Sequence, residues 1–293
     1  QRAALETGDG QGIKINLYIA DGKESQATQN EQVDRFLERG YDVICVNVVD
    51  RTAAAVIIDK AQAADVPVIF FNREPVEEDL MQWNKLYYVG AEAKQSGQMQ
   101  GELAADYIKE NPSVDKNSDG KIQYVILEGE LGHQDAIIRT ESVAESMKEN
   151  GVELEKLSYQ TANWNRAQAQ NRMTQLIGQY KNSIELVIAN NDAMALGAMD
   201  AYEKLGITDS NYPVFFGIDG TDEGLEAVRQ SKLAATVYND KEGQAYAMAQ
   251  LAYAVVTGYG MNNIGFENKK YIYLPYKKVT ADNVTDFIDN IQD

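Results

Sequence analysis

Strand-like and helix-like segments alternate almost without a break along this chain, and that rhythm restricts its fold more than any other feature. Gln1 to Glu6 reads as the end of a helix. Ile13 to Ile19 then alternates apolar and polar residues, and Glu24 to Arg39 has helical spacing. Val43 to Val48 is a β-branched run followed by a helical stretch, Thr52 to Ala64. Val66 to Phe71 and Tyr87 to Val89 read as the next strands. The second half keeps the same beat, with strands at Ile122 to Leu127, Leu186 to Ala189, Val214 to Phe216 and Ala234 to Tyr238. A helix from Glu242 to Thr257, a strand from Tyr271 to Leu274 and a last helix from Ala281 to Ile291 complete it. Such alternation produces parallel sheets covered by helices on both faces, an α/β class.

The chain has 293 residues, enough for two domains at roughly 150 residues each. No low-complexity linker divides it, so crossings in short segments are expected near Gly90, Asn239 and Leu274. The expected lobes are residues 1–91 plus 239–273, and 92–238 plus 274–293. No repeat of roughly 20–50 residues is present, which excludes a solenoid. The formal net charge of −18 repels phosphate backbones and anionic lipid, excluding nucleic-acid and membrane-surface partners. No run approaches the ~20 apolar residues of a membrane helix. The one cysteine, Cys45, lies within Val43-Ile44-Cys45-Val46 and reads as a buried small hydrophobe with no disulfide partner. Neither a signal peptide nor an initiator methionine opens the chain, so its N-terminus reads as incomplete or processed.

The strand ends carry the chemistry. Asn72 closes one strand, Asn190-Asn191-Asp192 another, Asp219 a third and Asn239-Asp240 a fourth. In open parallel sheets, ligands bind beyond the carboxyl ends of the strands. Any one of these residues could simply cap a helix or form a turn. Four together, without Lys or Arg among them, favour a neutral polyhydroxylated ligand, because Asn and Asp can bridge neighbouring hydroxyls. After the strand ending near Leu127 come His133, the only histidine, then Asp135 and Arg139, spaced four apart on one helix face. These three either bond separate hydroxyls or form a helix cap with a surface ion pair. Trp164, at a strand-to-helix turn, either fills a core or stacks on the C–H face of a sugar ring.

Asp115 to Gln123 (Asp-Lys-Asn-Ser-Asp-Gly-Lys-Ile-Gln) matches the first nine positions of an EF-hand loop. Oxygens fall at positions 1, 3, 5 and 9, a glycine at 6 and a backbone carbonyl, that of Lys121, at 7. Position 12 is Ile126 rather than Glu, and a strand follows where an EF-hand has a helix. Either the loop is metal-free or a carboxylate arrives from elsewhere, for which Glu185 is the candidate. No glycine-rich phosphate loop and no paired Cys/His zinc spacing occurs. A single histidine cannot serve both a nucleophile relay and a second acid, and nothing favours paired glycosidase carboxylates such as Asp135 with Asp219 over plain binding.

On Phe70 to Pro75, the Gly132-His133-x-Asp135-x3-Arg139 segment, Ile188 to Ala195, Tyr238 to Asp240 and the calcium-type loop, the chain resembles the galactose/glucose-binding proteins of bacterial ABC importers. The resemblance implies the type I periplasmic-binding fold: two doubly wound parallel-sheet lobes joined by a three-strand hinge and closing on a monosaccharide. It implies sugar contacts from Asn72, His133, Asp135, Arg139, Asn191, Asp219 and Asn239, with Trp164 stacking on the ring. It implies Ca²⁺ held by Asp115, Asn117, Asp119, the Lys121 carbonyl, Gln123 and Glu185. It further implies a non-enzymatic, extracytoplasmic monomer, periplasmic or lipid-anchored, that serves a membrane permease and in some members a chemoreceptor. Family members begin with a strand bearing an Asp and an aromatic residue, which Gln1 onward lacks, so the first strand is expected to be missing from this chain. The competing reading, the effector core of a sugar-responsive regulator, would need a helix-turn-helix and a basic face that are absent here.

Overall fold

A computed structural model describes residues 1–207 and 212–288. Within it the chain separates into two compact units, one of residues 1–91 and 240–274, the other of residues 92–239 and 275–293. The first unit begins with α1 (Arg2–Gln11), α2 (Gln26–Glu38), β1 (Ile44–Val46), α3 (Ala54–Ala63), β2 (Val68–Phe71), α4 (Glu77–Leu80) and β3 (Leu86–Gly90). The second unit follows with α5 (Ala93–Glu110), β4 (Ile122–Glu128), α6 (Gln134–Glu149), β5 (Leu154–Thr161), α7 (Arg166–Tyr180), β6 (Leu186–Ala189), α8 (Asp192–Lys204), β7 (Val214–Phe216), α9 (Asp222–Arg229) and β8 (Ala235–Tyr238). The chain returns to the first unit with α10 (Lys241–Thr257) and β9 (Tyr271–Tyr273). It ends in the second with β10 (Lys277–Thr280) and α11 (Val284–Ile288).

The first unit holds a four-stranded parallel sheet in the order β1-β2-β3-β9. One face packs Val68, Phe70, Leu86 and Tyr88 against Ile57, Ile58 and Leu80. The other packs Ile69, Tyr87 and Val89 against Leu251 of α10. Both faces of β2 and β3 are covered, so these strands read as continuous apolar runs rather than alternating ones. The second unit holds six strands in the order β10-β8-β7-β6-β4-β5, parallel except for β10, which runs antiparallel to β8. Its core joins Val125, Leu127, Val187 and Ala189 to Met173, Met194, Leu225 and Val228 of the covering helices.

Several helix starts are built into the strand ends. The Asn191 side chain accepts from the Met194 amide, Thr221 from Gly224, Asp240 from Gly243, and His133 from Asp135. Each supplies an acceptor for one of the amides that a helix leaves unpaired at its first turn.

Several expectations need correction or extension. Ile13 to Ile19 forms no strand: the segment pairs with no neighbour, and β1 stands at the edge of the sheet. Its side chains Ile13, Leu17, Tyr18 and Ile19 are exposed in consequence. Cys45 is exposed rather than buried, because it points to the face of β1 opposite Ile44 and Val46. Residues 2–6 lie within α1, which runs on to Gln11. Two strands were not anticipated, β5 and the antiparallel β10. The β5 run (Leu-Glu-Lys-Leu-Ser-Tyr-Gln-Thr) is largely polar, as suits an edge strand. The last helix spans Val284–Ile288; the rest of the expected stretch to Ile291 lies outside the described residues. Among the described residues, no helix is long and apolar enough to cross a membrane.

Candidate functional site

At the carboxyl edge of the second unit's sheet, Arg139 organises the polar residues. It sits in the second turn of α6 and is almost wholly buried. Its Nε donates to Ser96 Oγ (3.1 Å), Nη1 to the Asn190 carbonyl (2.8 Å) and Nη2 to the Tyr276 hydroxyl (2.9 Å). Three of five guanidinium donors are thereby used. Carboxylates flank the group on two sides: Asp135 at 3.7 Å from Nη2 and Asp219 at 3.8 Å from Nη1. Both separations exceed hydrogen-bond length, leaving acceptors and donors that face one another without closing.

Charge here is finely balanced. Burial works against the Arg139 cation, but Tyr276, Asp135 and Asp219 outweigh it and hold its pKa above the ordinary arginine value. Burial pushes the Asp219 carboxyl up to about 6; Arg139 opposes that shift, Asp135 adds to it, and a hydrogen bond with Asn239 lowers it. Asp219 also sits at φ 117, outside the usual range for a side-chain-bearing residue, with its amide bonded to Val237 and its carbonyl accepting from Asn239.

Aromatic surface lies beside this cluster. Trp164 follows β5 in a turn where both Asn163 (φ 52) and Trp164 (φ 60) are left-handed. Its ring meets the His133 ring edge-on at 5.1 Å and lies 5.8 Å from the Arg139 guanidinium. Gly129 makes room for the indole, since a Cβ there would stand 2.0 Å from Trp164 Cζ2. Asn191 Nδ2 donates to the Trp164 carbonyl at 3.4 Å.

Of the expected ligand residues, His133, Asp135, Arg139, Trp164, Asn191, Asp219 and Asn239 thus fall together in the second unit. Asn72 belongs to the first unit, exposed at the end of β2 with φ 58, its Nδ2 3.4 Å from Asn47 Oδ1. His133 and Asn191 are also helix caps, so for them the structural and binding readings coexist. Behind Arg139 stand Ser96, Asn190 and Tyr276, of which reading from sequence missed Ser96 and Tyr276 and gave Asn190 only as a strand-end residue. Asn190 additionally accepts from the Gly129 amide and bonds Thr140. None carries a motif; only the placement of Asn190 at a strand end pointed toward it. A shallow cavity of about 310 Å³ occurs elsewhere, in the first unit, lined by Tyr18, Ile19, Arg35, Phe36, Arg39 and Tyr41 among others. It contains none of the candidate residues.

The calcium-type loop also lies in the second unit. Gly120 takes φ 80 at the sixth position, where the turn needs a left-handed residue. The ends of Asn117, Asp119 and Gln123 converge: Asn117 Nδ2 is 3.1 Å from both Asp119 Oδ2 and Gln123 Oε1, and Gln123 Nε2 is 2.9 Å from Asp119 Oδ2. Rotating each amide by half a turn exchanges these nitrogens for oxygens. The Asp115 carboxylate accepts from the Asp119 and Gly120 amides, and buried Glu185 reaches the loop to accept from Lys116 (2.6 Å) and Gln123 (3.0 Å). Among the described residues no three His, Cys, Asp or Glu side chains form a metal cluster. The expected set combines the Asp115, Asp119 and Glu185 carboxylates with the Asn117 and Gln123 side-chain amides and the Lys121 carbonyl, all of them hard oxygen donors of the kind Ca²⁺ takes.

Residues 1–260 match the family model described as "Periplasmic binding protein domain". The chain is 39% identical to the D-galactose/methyl-galactoside binding periplasmic protein of Haemophilus influenzae, over 94% of this chain and 82% of that one. It is 31% identical to a putative rhizopine-binding protein of Rhizobium meliloti, over 93% and 82% respectively. In three dimensions it superposes on an ABC transporter solute-binding protein from Bacillus halodurans, solved with bound myo-inositol, at a TM-score of 0.81 and 31% identity, covering 99% and 91% of the two chains.

Proposed function

The chain belongs to the periplasmic-binding-protein family, whose members bind solutes without turning them over, and from that premise we propose that it captures a neutral monosaccharide, D-galactose or D-glucose, for an ABC importer. The observation that carries the reading is the Arg139 guanidinium standing 3.7 and 3.8 Å from two carboxylates. A sugar hydroxyl is donor and acceptor at once. One hydroxyl beside Arg139 can accept from the cation and donate to Asp135, and a second can do the same with Asp219. A ligand carrying its own carboxylate would meet two like charges for one cation, so neutral sugars are preferred. Trp164 offers an apolar face to the C–H side of the ring, and His133, Asn191 and Asn239 supply further polar contacts. The galactose-binding relative supports this ligand class; the relative solved with myo-inositol makes a cyclitol the comparison ligand.

Ca²⁺ belongs to the same proposal, held by Asp115, Asn117, Asp119, the Lys121 carbonyl, Gln123 and Glu185. Bound there, it supplies positive charge that ties the loop to Glu185 and stabilises the second unit. The reading places the protein outside the cytoplasm, free or lipid-anchored, with the importer's permease as its partner and a chemoreceptor as a further one.

Titration calorimetry against D-galactose, D-glucose, myo-inositol and D-galacturonate tests the ligand class. Saturable binding of a neutral hexose, with galacturonate at least tenfold weaker, is expected. Binding of galacturonate alone, or of none of the four, overturns the proposal.

A further inference from the structure

We infer that Asp192 is a positioning residue for sugar recognition, holding the turn that presents Asp219. The inference rests on the sugar-binding reading of the Arg139 cluster and extends it to a residue one layer behind.

Asp192 is the first residue of α8 and is completely buried. Its main-chain amide donates to the Ile218 carbonyl at 2.7 Å. Its Oδ2 accepts from the Thr221 amide at 2.8 Å and from the Thr221 hydroxyl at 3.3 Å. One residue therefore brackets the turn from 218 to 221 at both ends. Inside the bracket lies Asp219, whose φ of 117 needs outside restraint to persist. Oδ1 accepts from Thr236 of β8 at 2.6 Å, fixing the carboxylate against the neighbouring strand.

The surroundings are shaped for this side chain. A Cβ at Gly217 would stand 2.2 Å from Asp192 Oδ1, and one at Gly224 would stand 2.2 Å from Oδ2. Both glycines leave room for the carboxylate, and Gly224 also donates its amide to the Thr221 hydroxyl. A helix cap needs none of this, and α8 already has its cap in Asn191. Desolvating a carboxylate is costly unless its oxygens are satisfied; burial, and then the charge of Asp219, raise the Asp192 pKa to about 7 against the hydrogen bonds of Thr236 and Thr221. A hydrophobic side chain would avoid that cost. What the carboxylate adds is the geometry of residues 218–221.

The test uses Asp192→Asn, which keeps the shape, together with Thr221→Val and Thr221→Ser, all at pH 8, above the Asp192 pKa of about 7. Affinities for D-galactose and its monodeoxy derivatives are measured beside those of Asp219→Asn. Asp192→Asn and Thr221→Val should weaken galactose binding about tenfold or more, the size of one misaligned charged hydrogen bond, while Thr221→Ser retains affinity. The loss should vanish for the same deoxy sugar at which the Asp219→Asn loss vanishes. A purely structural role would instead weaken every sugar alike. Hydrogen exchange on the ligand-free protein supplies an arm that needs no sugar: Asp192→Asn should speed exchange at the Asp192 and Thr221 amides by about tenfold while the melting temperature holds. Wild-type affinity in Asp192→Asn, or uniform loss across the sugars, overturns the positioning role and leaves the sugar reading standing. A wild-type protein that binds none of the sugars removes the sugar reading, and the exchange result then decides whether Asp192 holds the turn.

Discussion

Removing the Asp135 carboxylate is the most direct probe of the Arg139 cluster. Its side chain is one-fifth exposed and stands 3.7 Å from the guanidinium. Arg139 keeps its bonds to Ser96, Asn190 and Tyr276 and its pairing with Asp219 when Asp135 is truncated, so the cation is not stranded. The structural cost is then that of an acidic residue lost from a helix first turn, about 0.3–1 kcal/mol. Binding suffers more: a hydroxyl loses a charged acceptor inside a partly dry site, about 1.5–3 kcal/mol, or roughly ten- to a hundredfold in affinity. A second effect separates this from general damage. Asp135 raises the proton affinity of Asp219, whose charged form is the better acceptor. Galactose affinity in the wild type should therefore fall as pH drops through about 6. In Asp135→Ala that acid limb should move to lower pH, because Asp219 releases its proton more readily. Calorimetric titration of both proteins from pH 5 to 8 measures both quantities. Wild-type affinity at pH 7.5 in Asp135→Ala would refute the assignment of Asp135 as a ligand, and an unmoved acid limb would refute its coupling to Asp219.

Three further outcomes follow from the same coordinates. Chelation with EDTA should lower the melting temperature by roughly 5–10 °C at calcium levels a hundredfold above the dissociation constant, with Glu185→Gln reproducing most of that loss; an unchanged melting curve contradicts the site. Because the folded-state pKa of Asp219 is raised to about 6, the ligand-free native state holds a proton that the unfolded chain has released. That contribution to stability is present below about pH 4 and is lost as pH rises through 6. Asp219→Asn should therefore gain melting temperature relative to wild type between pH 4 and 7, and a constant difference would show that the carboxyl is not buried as described. Gly129→Ala should displace the Trp164 indole, weakening galactose binding at least tenfold and shifting tryptophan emission, since the new Cβ would lie 2.0 Å from the ring; unchanged affinity would separate the indole from the site.

Much of the fold was legible because its central strands are covered on both faces. Phe70, Val125, Val187 and Phe216 are buried whichever way the pleat turns, so their runs read as strands without ambiguity. Edge strands gave no such signal. The β5 residues Glu155, Lys156, Ser158 and Gln160 resemble a loop, and β10 begins with two lysines. Conversely, Ile13 to Ile19 has the alternation of a strand and lacks a neighbour to pair with, because alternation records a side chain's preference and not the presence of a partner. At the site, strand ends pointed to Asn191, Asp219 and Asn239, since chain direction alone brings them to one edge. The supports of Arg139 were hidden for the opposite reason. Ser96 lies 43 residues from Arg139 in sequence and Tyr276 lies 137, and a serine in α5 or a tyrosine after β9 looks ordinary until folding brings the guanidinium beside it.

The acidity of the chain has a consequence for how the protein behaves in bulk solution. A formal charge of −18 on every copy holds molecules apart at distances set by the ionic atmosphere. In dilute buffer that repulsion reaches about 30 Å at 0.01 M salt and shrinks to about 3 Å at 1 M. Colloidal stability should thus be greatest in low salt and diminish as electrolyte is added, the reverse of the salting-in expected of a protein near neutrality.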